Sequence, residues 1–308
     1  MVSFRPIPGD GRCRITAKSG VRNDIRNGKG KGSMIDFETI LGNVRQKTPL
    51  VHNITNYVTV NDCANILLAC GGSPIMSDDA DDVEDITSIC GGLNINIGTL
   101  NKNTIPSMFL AGKKANALGH VVLLDPVGAG ASRLRTETAE RLIAEIRFSI
   151  IRGNISEIKA LAQGTGGTKG VDANEADQVN PDNLESVIRF AKAFSKRTGA
   201  VIAITGATDL ITDGEQVCLI TNGHPMMSRI TGTGCMLSAM TTAFAVANPD
   251  DVFGAVCTAV IAMGLCGEIA HDRLSEPDGN STYRNYIIDA VYNLTAEQIR
   301  NGAKYEVR

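Results

Sequence analysis

From Met34 onward, short apolar runs alternate with segments of helical periodicity, and this alternation restricts the fold more than any other feature of the sequence. Pro49–His52, Ser73–Met76, Leu93–Ile97, Val121–Leu124, Ser149–Ile151 and Val201–Ile204 read as strands. Ile35–Lys47, Val58–Ala69, Asp82–Cys90, Lys102–Leu118, Glu137–Arg147 and Leu184–Lys196 read as helices between and after them. The unbroken run Val121-Val122-Leu123-Leu124 is the pattern of a parallel strand covered on both faces. Repeated exchange of this kind predicts an α/β fold with a mostly parallel central sheet and helices on both faces. Leu210–Thr212 and Val217–Thr221, joined through Asp213-Gly214, read as an antiparallel excursion. Met226–Ile230 reads as one more short strand. Beyond it Met236–Ala247, Asp251–Arg273, Tyr286–Leu294 and Ala296–Ala303 read as helices, the last opened by a Thr295/Gln298 capping box. Gln163–Val179, rich in Gly and Asp, reads as a loop.

Composition and charge exclude several classes of protein. The eight cysteines include no Cys-x-x-Cys pair and fall mostly in apolar runs, which predicts reduced thiols in a cytoplasmic protein rather than disulfides or a zinc site. Residues 1–33 carry a net +6, which leaves −9 on the other 275 residues against a total of −3. A nucleic-acid surface on the body is therefore not expected. The first 33 residues lack the apolar centre of a secretory signal and read as a basic, Gly-rich leader ahead of one domain over 34–308. The apolar stretch around Ala255–Leu265 falls short of the ~18 residues a membrane span requires.

Chemistry concentrates where the predicted strands end. In open parallel sheets, ligands bind outside the carboxyl ends of the strands. Asn56, Met76, Asp125, Arg152, Asn154, Glu157 and Thr205 all lie at or just after such ends. The last turn, Thr231-Gly232-Thr233-Gly234-Cys235, opens a run of small and apolar residues that reads as a buried helix. Glycines at such a junction admit close approach of a ligand and leave the first helical N–H groups facing an anion. Cys235 in that field is expected to have a stabilised thiolate. Each residue taken singly also has an ordinary structural reading: Asp125 as a turn cap, Arg152 and Glu157 as a solvated pair, Cys235 as small core packing. Their convergence on one sheet edge favours phosphoryl transfer, which needs a cationic phosphate clamp, metal-binding carboxylates, an anion hole and a base. Arg152 suits the clamp, Asp125 and Glu157 suit Mg²⁺, and the Gly232–Cys235 turn suits the anion hole and base.

Seven ordered segments carry a resemblance to a known family. They are Leu50–Asn56, Ser73–Met76, Asn96–Leu100, Leu124–Ala131, the Arg152-Gly153-Asn154-x-x-Glu157-Ile158 element, Ile204–Gly206 and Thr231–Cys235. Over about residues 34–305 the chain resembles hydroxyethylthiazole kinase, of the ribokinase-like superfamily. The resemblance implies ATP-dependent phosphorylation of 4-methyl-5-(2-hydroxyethyl)thiazole in thiamine synthesis or salvage, and a homotrimer with active sites between subunits. It implies thiazole contacts from Met76 and Gly232, with Asn56 on the same substrate side. It further implies ATP contacts from Arg152 and Thr205, and an Asn154-x-x-Glu157 element that orders Mg²⁺ and phosphate. Related kinases usually end the glycine turn in Asp, where this family has Cys, here Cys235. Two departures stand out: Ser77 replaces the common Ala, and a C-terminal Gly-Ser-Phe element survives only loosely in Gly279–Tyr283.

Two other readings compete. One is a different ribokinase-like enzyme, such as a vitamin kinase for pyridoxal, against which Cys235 argues. The other is a non-catalytic nucleotide or thiazole sensor, which has no need of the Arg152, Glu157 and Cys235 set.

Overall fold

The computed structural model describes residues 35–163, 179 and 182–308. The basic leader and nearly all of the loop expected between Gln163 and Val179 lie outside the described residues. Strands β1 (Leu50–Ile54), β2 (Ser73–Met76), β3 (Gly92–Asn96), β4 (Val121–Asp125), β5 (Ile150–Asn154) and β6 (Val201–Thr205) come first in the chain. They are followed by β7 (Asp209–Thr212), β8 (Val217–Ile220) and β9 (Tyr305–Val307). All belong to one sheet, in the order β2-β1-β3-β4-β5-β6-β7-β8-β9. Pairings from β2 through β6 are parallel and those from β6 through β9 antiparallel. The expected α/β architecture is thus present.

Alternation along the strands divides the interior into two cores. In β4, Leu123 faces one core, and Val122 and Leu124 the other. In β6, Val201 and Ala203 share the side of Leu123, opposite Ile202 and Ile204. The first core is closed by α1 (Phe37–Lys47), α2 (Val60–Cys70), α8 (Thr233–Ala247), α9 (Val252–Asp272), α10 (Asn280–Asn293) and α11 (Ala296–Gly302). The second lies under α4 (Thr104–Leu118), α5 (Arg133–Glu145), α6 (Ile155–Gln163) and α7 (Leu184–Thr198), with α3 (Val83–Ile89) beside them. With few aromatics, both cores rest on aliphatic side chains, each worth roughly 1.5–3 kcal/mol when fully buried.

Three sequence expectations are corrected. Met226–Ile230 is no strand: Pro225–Arg229 forms a 3-10 turn, with Pro225 in its first positions and His224 Nδ1 accepting the Met226 N–H at 3.2 Å. β8, which ends shortly before this segment, is already paired on both sides, with β7 and the unforeseen β9. The apolar segment around Ala255–Leu265 is also longer than expected. It continues through Cys266 and Gly267 into the 21-residue α9, long and apolar enough to cross a membrane by length and composition, yet 78% buried in its most apolar window. It is a core helix packed between α8 and α10. Finally, α10 begins at Asn280 rather than Tyr286.

Sheet order places the site. The chain runs from β1 outward to β2, then returns to β3 on the other side of β1. At such a reversal of strand order, the carboxyl ends of the strands are the favoured ligand position in open α/β sheets, and here the segments after β1 and β3 are joined by the Tyr57 N–H donating to Thr99 Oγ1 at 3.2 Å. The N-terminus of α8 points into the same region, since Asn56, after β1, and Asn96, at the end of β3, both reach Cys235 in its first turn.

Candidate active site

Gly232 caps α8 with φ +91°, a left-handed conformation natural to glycine, and a β-carbon there would come within 2.7 Å of the Thr59 methyl group. No side chain caps this helix. The first-turn N–H groups of an α-helix have no intrahelical acceptor, so they remain available to an anion. The Arg152 guanidinium lies beside them, and a β-carbon on Gly234 would meet its Nη1 at 2.7 Å. Arg152 also donates to Thr205 Oγ1 at 2.7 Å and pairs with Asp125 at 3.7 Å. Arg152, Thr205 and Gly234 line one cavity of about 550 Å³.

On the other side of the helix turn stands a polar network. The Cys235 sulfur accepts from Asn56 Nδ2 at 3.1 Å and from Asn96 Nδ2 at 3.3 Å. Asn96 also donates to Asp125 Oδ2 at 2.8 Å, which Ser238 reaches at 2.8 Å from the next turn of α8. Asn56 Oδ1 accepts from both the N–H and the hydroxyl of Thr59. Each amide is oriented by its other bonds, so both present N–H to sulfur. The surroundings are those of a hydrogen-bond acceptor.

The thiol proton is nevertheless held more tightly than expected. Burial, followed by the Asp125 carboxylate, pushes the Cys235 thiol up, against the amide of Asn56 and the charge of Arg152. This corrects the expectation of a stabilised thiolate: desolvation of sulfur outweighs its donors. Burial likewise raises Asp125, opposed by Arg152, Ser238 and Asn96. Asp125 Oδ1 is buried without a hydrogen-bond partner.

Glu157, in the first turn of α6, accepts from the N–H groups of Gly128 and Asn154 at 2.9 and 2.8 Å. Its own N–H donates to Asn154 Oδ1 at 2.9 Å. Burial and the nearby Asp125 charge raise its pKa. No cluster of three or more His, Cys, Asp and Glu residues suited to a metal exists among the described residues. The donor set is instead two carboxylates, Asp125 having one oxygen that accepts no hydrogen bond and faces Arg152 at 3.7 Å, which suits a Mg²⁺ ion that keeps most of its waters.

The structure therefore joins Asn56, Asp125, Arg152, Thr205 and Cys235 in one continuous network, with Asn154 and Glu157 adjoining it through the influence of Asp125. Met76 lies apart from these hydrogen bonds, at the end of edge strand β2 and level with Asn53. Three residues escaped sequence reasoning. Asn96 and Ser238 bind Asp125, and Asp209 accepts the Gly206 N–H at 2.9 Å in the cavity wall. Asn96 had a signal, as the second asparagine alternating with apolar residues in Leu93–Ile97 and the first residue of the Asn96–Leu100 segment, although neither assigns it a role. Ser238 had none, being one small residue among many in α8. Burial pushes Asp209 up to about 7, opposed by the Gly206 N–H and Arg152. The seven described cysteines are free, as expected, and Cys13 lies outside the described residues.

The hydroxyethylthiazole kinase family model matches residues 41–297 of this sequence. The chain belongs to the hydroxyethylthiazole kinase family. Hydroxyethylthiazole kinase of Clostridium acetobutylicum is 64% identical over 266 residues, covering 86% of this chain and 97% of that protein. The Clostridium beijerinckii enzyme of the same name is 52% identical over 270 residues, covering 88% and 96%. A hydroxyethylthiazole kinase structure from Pyrococcus horikoshii OT3 superposes with TM-score 0.78 at 31% identity, covering 89% of this chain and all of that one. Pyridoxal kinase from Staphylococcus aureus with ADP bound reaches TM-score 0.58 at 15% identity, covering 84% and 97%, a likeness of fold alone. As a family member, this chain is a kinase of the thiamine pathway on a ribokinase-like fold.

Proposed function

We propose that the chain transfers the γ-phosphoryl group of ATP to the hydroxyl of 4-methyl-5-(2-hydroxyethyl)thiazole, across the first turn of α8. The observation that carries this reading is the position of that turn. On one side lies the cavity lined by Arg152, Thr205 and Gly234; on the other, Cys235 sits under the amides of Asn56 and Asn96. A nucleotide in the cavity presents its terminal phosphate to the helix N–H groups, with Arg152 and Thr205 as its ligands and Asn154 beside them. The thiazole takes the opposite side, against Gly232, Asn56 and Met76, with its hydroxyl at Cys235.

Asp125 and Glu157 are the residues that would hold Mg²⁺. The ion, when bound, neutralises charge on the phosphate oxygens. Arg152 contributes fixed positive charge that needs no reorganisation during transfer. As the thiolate, Cys235 takes the hydroxyl proton late and becomes the neutral thiol, because in a loose phosphoryl-transfer transition state the acceptor oxygen sheds its proton only as its bond to phosphorus forms and the bond to the leaving ADP breaks. The raised thiol pKa makes the thiolate the stronger base and keeps it a minority form, generated before transfer. Asn56 and Asn96 donate to the sulfur while it carries the negative charge that the incoming proton cancels.

We assign this activity to one domain over residues 34–308, place it in the cytoplasm on the strength of its unpaired thiols, and assign it a homotrimer. Large apolar side chains at Tyr57 and Val58, 77% and 57% exposed directly after Asn56, support a subunit contact beside the substrate side. The deciding experiment is a coupled ADP-release assay with Mg²⁺-ATP and three acceptors. The thiazole alcohol should be turned over far faster than pyridoxal or hydroxymethylpyrimidine; preference for either of the others would overturn the reading.

A further inference from the structure

The cavity wall opposite the phosphate ligands has a support that the reaction itself does not require. Asn222, Gly223 and His224 form part of that wall, after β8. Three residues of α9 hold this segment, and they recur at positions 264, 268 and 271, one face of a helix. Gly264 abuts Asn222 so tightly that a β-carbon would lie 2.7 Å from its carbonyl oxygen. Glu268 accepts the Gly223 N–H at 2.8 Å and the Asn222 side-chain amide at 3.1 Å through the same oxygen. The His271 ring stacks on His224, with centroids 3.6 Å apart and planes 24° apart.

The chain end joins the same assembly. Lys304 pairs with the other Glu268 oxygen at 2.8 Å, and its backbone N–H donates to Asn222 Oδ1 at 2.8 Å. Asn222 also donates to the Gly302 carbonyl at 2.9 Å. Its side chain is fully committed to holding the wall and has no N–H left for a ligand. The rest of the cavity adds Pro225, Met227, Leu237, Val260 and Met263, a surface suited to a flat aromatic base rather than to phosphate.

We propose that the Gly264–Glu268–His271 face of α9 positions the Asn222–His224 wall against the base of the bound purine nucleotide, and thereby tunes nucleotide affinity without touching the transferred phosphate. Glu268 is a positioning residue. It acts through the Gly223 N–H and the Asn222 amide, and Lys304 keeps its carboxylate in place. This inference rests on the assignment of the cavity to the nucleotide.

The test uses the full chain, with ADP affinity measured by calorimetry and steady-state constants for ATP and for the thiazole alcohol. Glu268→Ala removes the acceptor of both wall donors and should weaken ADP and raise KM for ATP about tenfold, the equivalent of one charge-assisted hydrogen bond. The KM for the thiazole and kcat should stay within about twofold. Glu268→Gln keeps an oxygen toward Gly223 and should recover much of the loss. His271→Ala, which leaves Glu268 intact, should weaken ADP by a smaller factor and covers the case in which Glu268→Ala does not fold. Arg152→Ala separates the two claims. If it leaves both ADP affinity and KM for ATP unchanged, the cavity is not the nucleotide site. If Arg152→Ala weakens ADP or raises KM for ATP while Glu268→Ala and His271→Ala bind both nucleotides like the parent, the positioning role is wrong. A fall in kcat with unchanged KM for ATP in the Glu268 and His271 variants would overturn it as well.

Discussion

The guanidinium of Arg152 rests directly on Gly234, leaving no space for a β-carbon between them. A strand side chain from β5 is thereby fixed over the first turn of a helix that begins some eighty residues later. Gly234→Ala should push Arg152 off that turn. The expected result is a rise of about tenfold or more in KM for ATP, the scale of one lost charge-assisted contact, with little change in thermal stability. Steady-state kinetics together with a melting curve check it, and unchanged KM for ATP would contradict the geometry.

Cys235 offers a sharper contrast. Cys235→Ala should lower kcat by about 10²–10⁴-fold, the usual contribution of a positioned proton acceptor, while ATP binding stays near the parent value. Cys235→Asp supplies an oxygen acceptor to the same two amides and should retain substantial activity. Wild-type turnover in the alanine variant would reduce Cys235 to packing.

One buried oxygen of Asp125 accepts no hydrogen bond and faces only the Arg152 guanidinium, at 3.7 Å. Asp125→Asn keeps the volume and one oxygen but removes the charge. The Mg²⁺ concentration for half-maximal rate should rise by about tenfold. Superimposable Mg²⁺ titrations of variant and parent would exclude Asp125 from the metal site.

Burial raises Asp209 to about 7, so the folded state holds its proton where the unfolded chain, with an ordinary carboxylate near 3.8, has lost it. The stabilisation is complete below the unfolded value and is lost as pH rises through about 7. Parent stability relative to Asp209→Asn should therefore fall between about pH 4 and 7, by at most about 1.4 kcal/mol per pH unit, and then level off. Denaturant midpoints across that range test the slope; a gain of parent stability with rising pH would reverse the assigned sign.

The exposed Tyr57 and Val58 predict assembly. Light scattering should give about three times the 32.6 kDa chain mass, and charged residues at both positions should lower the assembled fraction and the activity together. A fully active monomer would rule out subunit contact as a requirement.

Most of this fold is legible in the sequence because a parallel strand buried on both faces needs a continuous apolar run, and such runs stand out at Val121–Leu124 and Val201–Ile204. Polar residues at the strand ends mark the site for a related reason: backbone leaving a buried sheet is where ligands can reach it. By that logic the clustering of Asn56, Asp125, Arg152, Thr205 and Cys235 at one end of the sheet was readable from their order, while the roles assigned to Asn56 and Thr205 came from the resemblance. Tertiary structure decided what local pattern does not contain. Met226–Ile230 has strand-like residues, but the neighbouring β8 is already paired on both sides, with β7 and β9, and strand pairing depends on distant chain. Asn96 and Ser238 became site residues because β3 and α8 meet at Asp125, and Asp209 acquired its raised pKa from burial that only packing creates. The thiol of Cys235 makes the same point: the helix N-terminus and the two amides favour its charge, and the surrounding core, which no local motif reveals, prevails over them.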